Sequence, residues 1–158
     1  MQVSNFKDFI TEAKKGSDRT IQIAVVTKTH PNIKKRKVGG KEKKELTVGL
    51  IAETCEELKI KCIVIETRHA IITGKDEEKN TLTIYNYDGK DTEHTFIGRD
   101  TICITRAGAV EDEAGLSIIS AFQNSGSFMI NTRNSMLTCN NKLTTALLFE
   151  KFAIPTPR

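Results

Sequence analysis

Three cations and an amide each stand just past a short apolar run in this sequence. Lys28 follows residues 20–27, Arg68 follows 61–67, Arg106 follows 101–105, and Asn131 closes 128–131. If these runs are parallel strands, the four positions share one rim, and ligands of open α/β sheets settle in the crevice outside the carboxyl ends of the strands. Lys, Arg and Asn together are the donors that a carboxylate or phosphate requires. Lys28, Arg106 and Asn131 are therefore the candidate substrate-binding residues. Taken one at a time, each could equally be a solvated loop end. Lys142 is a separate candidate, because it falls in the first turn of the last helical pattern, where the helix dipole opposes a cation by about 0.3–1 kcal/mol. An anion held between that lysine and the free N–H groups of the helix would reverse the sign.

Other chemistries lack an anchor. There is no G-x-x-x-x-G-K-[ST] or G-x-G-x-x-G phosphate loop, and Gly39-Gly40-Lys41 is only a fragment of one. His30, His69 and His94 have no partner at metal-ligand spacing and read as surface or core histidines. No G-x-S-x-G elbow is present, and Ser117 and Ser120 fall on a helical pattern. Cys55, Cys62, Cys103 and Cys139 show no C-x-x-C spacing, so all four are expected to be buried free thiols.

The elements that must position these residues follow from periodicity. Apolar residues at Val3, Phe6, Phe9, Ile10 and Ala13 predict a first helix over 3–15, stopped at Gly16. Residues 20–27, 61–67 and 101–105 are β-branched and nearly continuous in apolar character, which suits strands buried on both faces of a parallel sheet. Between the first two, 46–58 has a helical rhythm through Val48, Ile51, Ala52, Cys55 and Leu58, completing a strand–helix–strand unit. Alternation across 70–97, broken by a charged turn and by Asp88-Gly89, predicts an antiparallel hairpin insertion or meander outside the main sheet.

Farther on, 112–124 carries Gly115, Ile118, Ile119 and Phe122 on one stripe, and 128–131 is a short strand. Thr132-Arg-Asn-Ser is expected to be a polar turn. Asn140 or Asn141 is expected to cap a helix reaching Phe152, which Pro155 then prevents from continuing. The expectation is a single α/β layer structure of four or five parallel strands.

The net charge of +4 is concentrated in one place. Residues 28–45 hold eight basic and two acidic side chains, leaving the rest of the chain slightly acidic. This argues against a nucleic-acid platform, which spreads cations over a whole face. The basic segment is read as a loop that attracts an acidic ligand, or as a solvated charge run. At 158 residues the chain is the size of one domain. It has neither a membrane-length apolar run nor a signal-peptide start, so a cytoplasmic location without membrane partners is expected.

The order of several short motifs carries a resemblance. Arg106-Ala-Gly-Ala, Gly115-Leu116, Phe122 with Gly126, Asn131, Asn141-Lys142, Leu147-Leu148 and Ile154-Pro155-Thr156-Pro157 resemble, in this order, the amino-terminal part of RimK-type ATP-grasp ligases. The resemblance covers 101–158. Over the first hundred residues only the α/β rhythm agrees. Asn141 stands where the family usually has Asp, and Ala153 where it usually has Gly.

What the resemblance implies is a Rossmann-like pre-ATP-grasp domain over 1–139, with residues 140–158 leading into an ATP-grasp domain that does not follow in this chain. Such ligases join glutamate to a carboxylate through an acyl phosphate, using ATP and Mg²⁺ bound mainly by the ATP-grasp domain. Lys142 would then contact ATP, and Arg106 would face a substrate carboxylate or acyl phosphate. The segment alone would not be catalytic. The implied partners are ATP and an acidic peptide or amino-acid substrate, with homo-oligomerisation left open. The alternative is a non-enzymatic α/β adaptor that binds nucleic acid or an acidic partner through 28–45.

Overall fold

The computed structural model describes residues 20–28, 36–38, 41–43, 46–87 and 91–155. The helix expected over 3–15 lies outside these residues, as does His30. The first half contains β1 (Gln22–Thr27), β2 (Arg36–Val38), β3 (Lys41–Lys43), α1 (Leu46–Glu57), β4 (Lys61–Glu66), β5 (Ala70–Asp76), β6 (Thr81–Tyr87) and β7 (Asp91–Ile97). Then come β8 (Thr101–Thr105), α2 (Glu113–Asn124), β9 (Phe128–Ile130), α3 (Arg133–Asn140) and α4 (Lys142–Lys151), with a 3₁₀ turn at Ala107–Val110 between β8 and α2.

The protein is α/β. Four parallel strands in the order β4-β1-β8-β9 form one sheet. All six residues of β1 are buried, as the unbroken apolar run requires of a central strand covered on both faces. On one face Ile23, Val25, Ile102 and Ile104 pack with Val48 and Cys55 of α1. On the other, Ala24, Val26, Ile63, Ile65 and Cys103 meet Ile118, Ile119 and Phe122 of α2. Asp112 caps α2, accepting a hydrogen bond from the Gly115 N–H at 2.7 Å.

The insertion expected as a hairpin is a separate three-stranded antiparallel sheet, β5-β6-β7. It belongs to the core. Leu82, Ile84 and Phe96 are fully buried against α2, and the Phe96 ring meets Phe122 edge-on with centroids 4.9 Å apart. A polar side chain fixes its attachment. Asn86, fully buried on β6, accepts from the Glu66 N–H at 3.2 Å and donates to the Val64 carbonyl at 2.9 Å. Its amide thereby supplies the backbone groups on the open edge of β4 with the partners a further strand would have given.

Two elements differ from expectation. The basic segment, read as a loop, contains the two-stranded antiparallel ribbon β2–β3, in which Arg36 pairs with Lys43, Lys37 with Glu42 and Val38 with Lys41. The polar turn expected at 132–135 is the start of α3, with Thr132 as its cap accepting from the Ser135 N–H at 3.3 Å. Among the described residues no helix is long and apolar enough to cross a membrane.

Candidate functional site

The four strands are parallel, so their carboxyl ends open on one rim. Lys28 follows β1, Thr67 and Arg68 follow β4, Arg106 follows β8 and Asn131 follows β9. The chain adds β4 on one side of β1 and returns to place β8 on the other. The strand order therefore reverses between β1 and β8, and ligands of open α/β sheets settle in the crevice outside such a point. Backbone bonds hold its walls: the Arg106 N–H donates to the Val26 carbonyl and the Thr67 N–H to the Thr27 carbonyl, both at 2.9 Å.

Lys28 reaches across the crevice and pairs with Glu111, on the connection from β8 to α2. Gly108 makes room for it, since a Cβ at that position would lie 3.0 Å from the Lys28 Cβ. Arg106 is half-buried, and its Nε has no hydrogen-bond partner among the described residues. Asn131 adopts a left-handed conformation (φ 67°) that ends β9, and its Nδ2 donates to the Thr105 carbonyl at 3.3 Å. The structure thus brings Lys28, Arg106 and Asn131 to one rim, with Arg68 exposed on the same rim.

The nearest helix start does not favour an anion. Asp112 occupies the amide end of α2, and Glu113 adds a second negative charge in its first turn. Anion binding at this rim must come from the side-chain cations.

Lys142 lies elsewhere. It is exposed at the start of α4, beside an open depression lined by Leu137, Thr138, Asn140, Asn141, Leu143 and Thr144, with no strand-end residue among them. Asn141 caps the helix by accepting from the Thr144 N–H at 3.0 Å, so one of the donors that an anion could have used is already occupied.

Two further residues at the rim escaped the sequence reading. Glu66 is 4% exposed and Thr67 1%, yet Glu66 Oε2 and Thr67 Oγ1 have no hydrogen-bond partner among the described residues. His69 Nδ1 lies 3.9 Å from Glu66 Oε2, beyond hydrogen-bond reach. A buried polar atom left unpaired costs about 1–3 kcal/mol. The signal was present in the sequence: Glu66 continues the alternation of Cys62 and Val64 along β4, placing a carboxylate on a face that otherwise takes half-buried apolar side chains.

Among the described residues no three His, Cys, Asp or Glu side chains gather as a metal ion would need. No family model and no curated protein matches the chain.

Proposed function

We propose that this chain is the acid-binding domain of an ATP-dependent carboxylate–amine ligase of the glutamate-ligase type, with nucleotide and metal held mainly by a second domain. The observation that carries the reading is the placement of Lys28 and Arg106 on either side of the crevice where the strand order reverses, with Arg106 Nε buried and unpaired. A carboxylate in that crevice would satisfy Arg106 and compete with Glu111 for Lys28. Asn131 borders the same rim. The role of the chain in such an enzyme is to bind and orient the acid.

The carboxyl-terminal helix supports a domain that works against another body. No residue of α4 is buried, and Leu143, Leu147, Phe152 and Ile154 stand exposed on it and on the turn that follows. Apolar surface of this kind marks an interaction face. Lys142 begins this helix and would meet the nucleotide phosphates at the junction.

The test is acid-dependent ADP formation from ATP by the native polypeptide containing this chain, with L-glutamate and an acidic peptide as substrates. Lys142→Ala is expected to lower turnover or ATP affinity about tenfold, as the loss of one charge-assisted contact of 1.5–3 kcal/mol would. An absence of acid-dependent ADP formation would overturn the ligase reading.

A second reading rests on β2–β3, a two-stranded ribbon inside the +6 segment, since ribbons of this kind enter the major groove of DNA. It requires polyanion binding that weakens steeply with salt and is lost when Lys34, Lys35, Arg36 and Lys37 are neutralised.

A further inference from the structure

The end of α1 and the start of β4 bring two thiols together. The helix closes on a left-handed residue, Lys59 at φ 53°, with the Ile60 N–H donating to the Cys55 carbonyl at 2.8 Å and the Lys59 N–H to the Glu56 carbonyl at 3.0 Å. This paired closure turns the chain straight back, so that residues 58–60 alone separate α1 from β4. Alternation along β4 then directs Cys62 and Val64 toward α1, and Ile63 and Ile65 toward α2. Cys62 thus packs against the apolar cluster that contains Cys55, and the Cys62 thiol donates a hydrogen bond to the Cys55 sulfur.

The other cysteines stand apart. Cys103 lies in the cluster on the opposite face of the sheet. Cys139, expected to be buried, is exposed on α3, a helix with no buried residue. Two thiols alone do not hold a zinc ion, which takes at least three protein ligands, and no group of three His, Cys, Asp or Glu gathers among the described residues. Side chains that face each other across two packed elements are the arrangement a disulfide requires.

We propose that Cys55 and Cys62 form a reversible disulfide under peroxide, tying the end of α1 to the edge strand β4. Peroxide is close to water in size and reaches the pair past half-buried Cys62, on the outermost strand of the sheet. The hydrogen bond from Cys62 holds the Cys55 thiol below its ordinary value and so favours the thiolate, the attacking form. The Cys55 sulfur attacks one peroxide oxygen, the O–O bond breaks and one water leaves, giving a sulfenic acid. The Cys62 sulfur then displaces that hydroxyl, which leaves as a second water with the Cys62 proton, and the S–S bond forms. Two electrons pass from the thiols to the peroxide, and a dithiol reductant returns them.

The test is a peptide map of the full chain carrying C139S, which removes the exposed thiol that would link one molecule to another. The folded protein is treated with hydrogen peroxide, its remaining thiols are blocked with N-ethylmaleimide in denaturant, and it is digested with trypsin. Cleavage after Lys59 and Lys61 separates the two cysteines, so a disulfide shows as peptide 45–59 joined to peptide 62–68. The joined peptides are expected in the majority of molecules, with free thiols falling from three to one and returning to three with dithiothreitol. C62S is expected to abolish the joined peptides; the map of the C139S chain decides the matter even where C62S fails to fold. Both cysteines recovered as maleimide adducts, a bridge to Cys103 instead, or a bridge that forms only in the urea-unfolded chain would overturn the proposal.

Discussion

Gly115 lies directly against the Ala109 carbonyl: a Cβ on Gly115 would sit 1.7 Å from that oxygen. The first turn of α2 therefore packs on the 3₁₀ turn that follows Arg106, and this contact sets the wall of the crevice. Gly115→Ala must push the two segments apart. It is expected to destabilise the protein by about 3 kcal/mol, the upper end of overpacking costs, and to displace Arg106. The urea midpoint and the amide shifts of 106–110 report both effects. An unchanged midpoint would show that the contact is not tight.

Asn86 joins the two sheets through a single side chain. Asn86→Ala leaves the Glu66 N–H and the Val64 carbonyl without the partners they have now, at about 1–3 kcal/mol for each group that stays buried. Amide exchange at Glu66 should accelerate more than exchange at Val25 in the centre of the sheet. Equal acceleration at both sites would mean that the loss is global and that Asn86 is not a local fastener.

Ala153 adopts φ 51° at the end of α4, where the Ile154 N–H donates to Phe149 and the Ala153 N–H to Glu150. This is a helix-ending loop whose left-handed position favours glycine. Ala153→Gly is expected to raise stability by about 1 kcal/mol, since the left-handed conformation costs a side-chain-bearing residue about that much. A lower midpoint in urea would contradict the assignment of the cap.

The cysteines differ in reactivity. Burial pushes the Cys103 thiol up from an ordinary value of 9.0 to about 12, against a smaller opposing effect of the Thr105 hydroxyl. Cys55 is pulled below its ordinary value by the Cys62 thiol, but it is fully buried. Iodoacetamide at pH 8 should label exposed Cys139 first and leave Cys103 untouched in the folded protein. Because folded Cys103 keeps its proton to a higher pH than the unfolded chain, its contribution to stability is complete below pH 9 and declines as pH rises toward 12. Labelling of Cys103 as fast as Cys139 would refute the burial argument.

The legible parts of the fold were those in which burial leaves a pattern. β1, β4 and β8 are continuous apolar runs because they are covered on both faces, and α2 is an apolar stripe because only one side meets the core. α3 was missed because Arg133–Asn140 has no buried residue; the Thr132 cap and packing against the turn at Ala107–Val110 make it helical. The β2–β3 ribbon was missed because its residues are charged, which normally marks a loop. At the rim the cations were legible from their place after strands. Glu66 was visible only as a carboxylate in an otherwise apolar alternation and Thr67 not at all, because what sets both apart is the absence of partners, which only three dimensions reveal.

The central claim is that Arg106, at the point where the strand order reverses, binds the carboxylate of an acid substrate. Two-dimensional amide NMR of this chain titrated with L-glutamate tests it most directly. The account predicts saturable shifts confined to residues 27, 28, 66, 67, 105–108 and 131, weakened at least about tenfold by Arg106→Ala in a variant that keeps its fold. Shifts centred on 137–144 around Lys142, or a titration unaffected by Arg106→Ala, would contradict it.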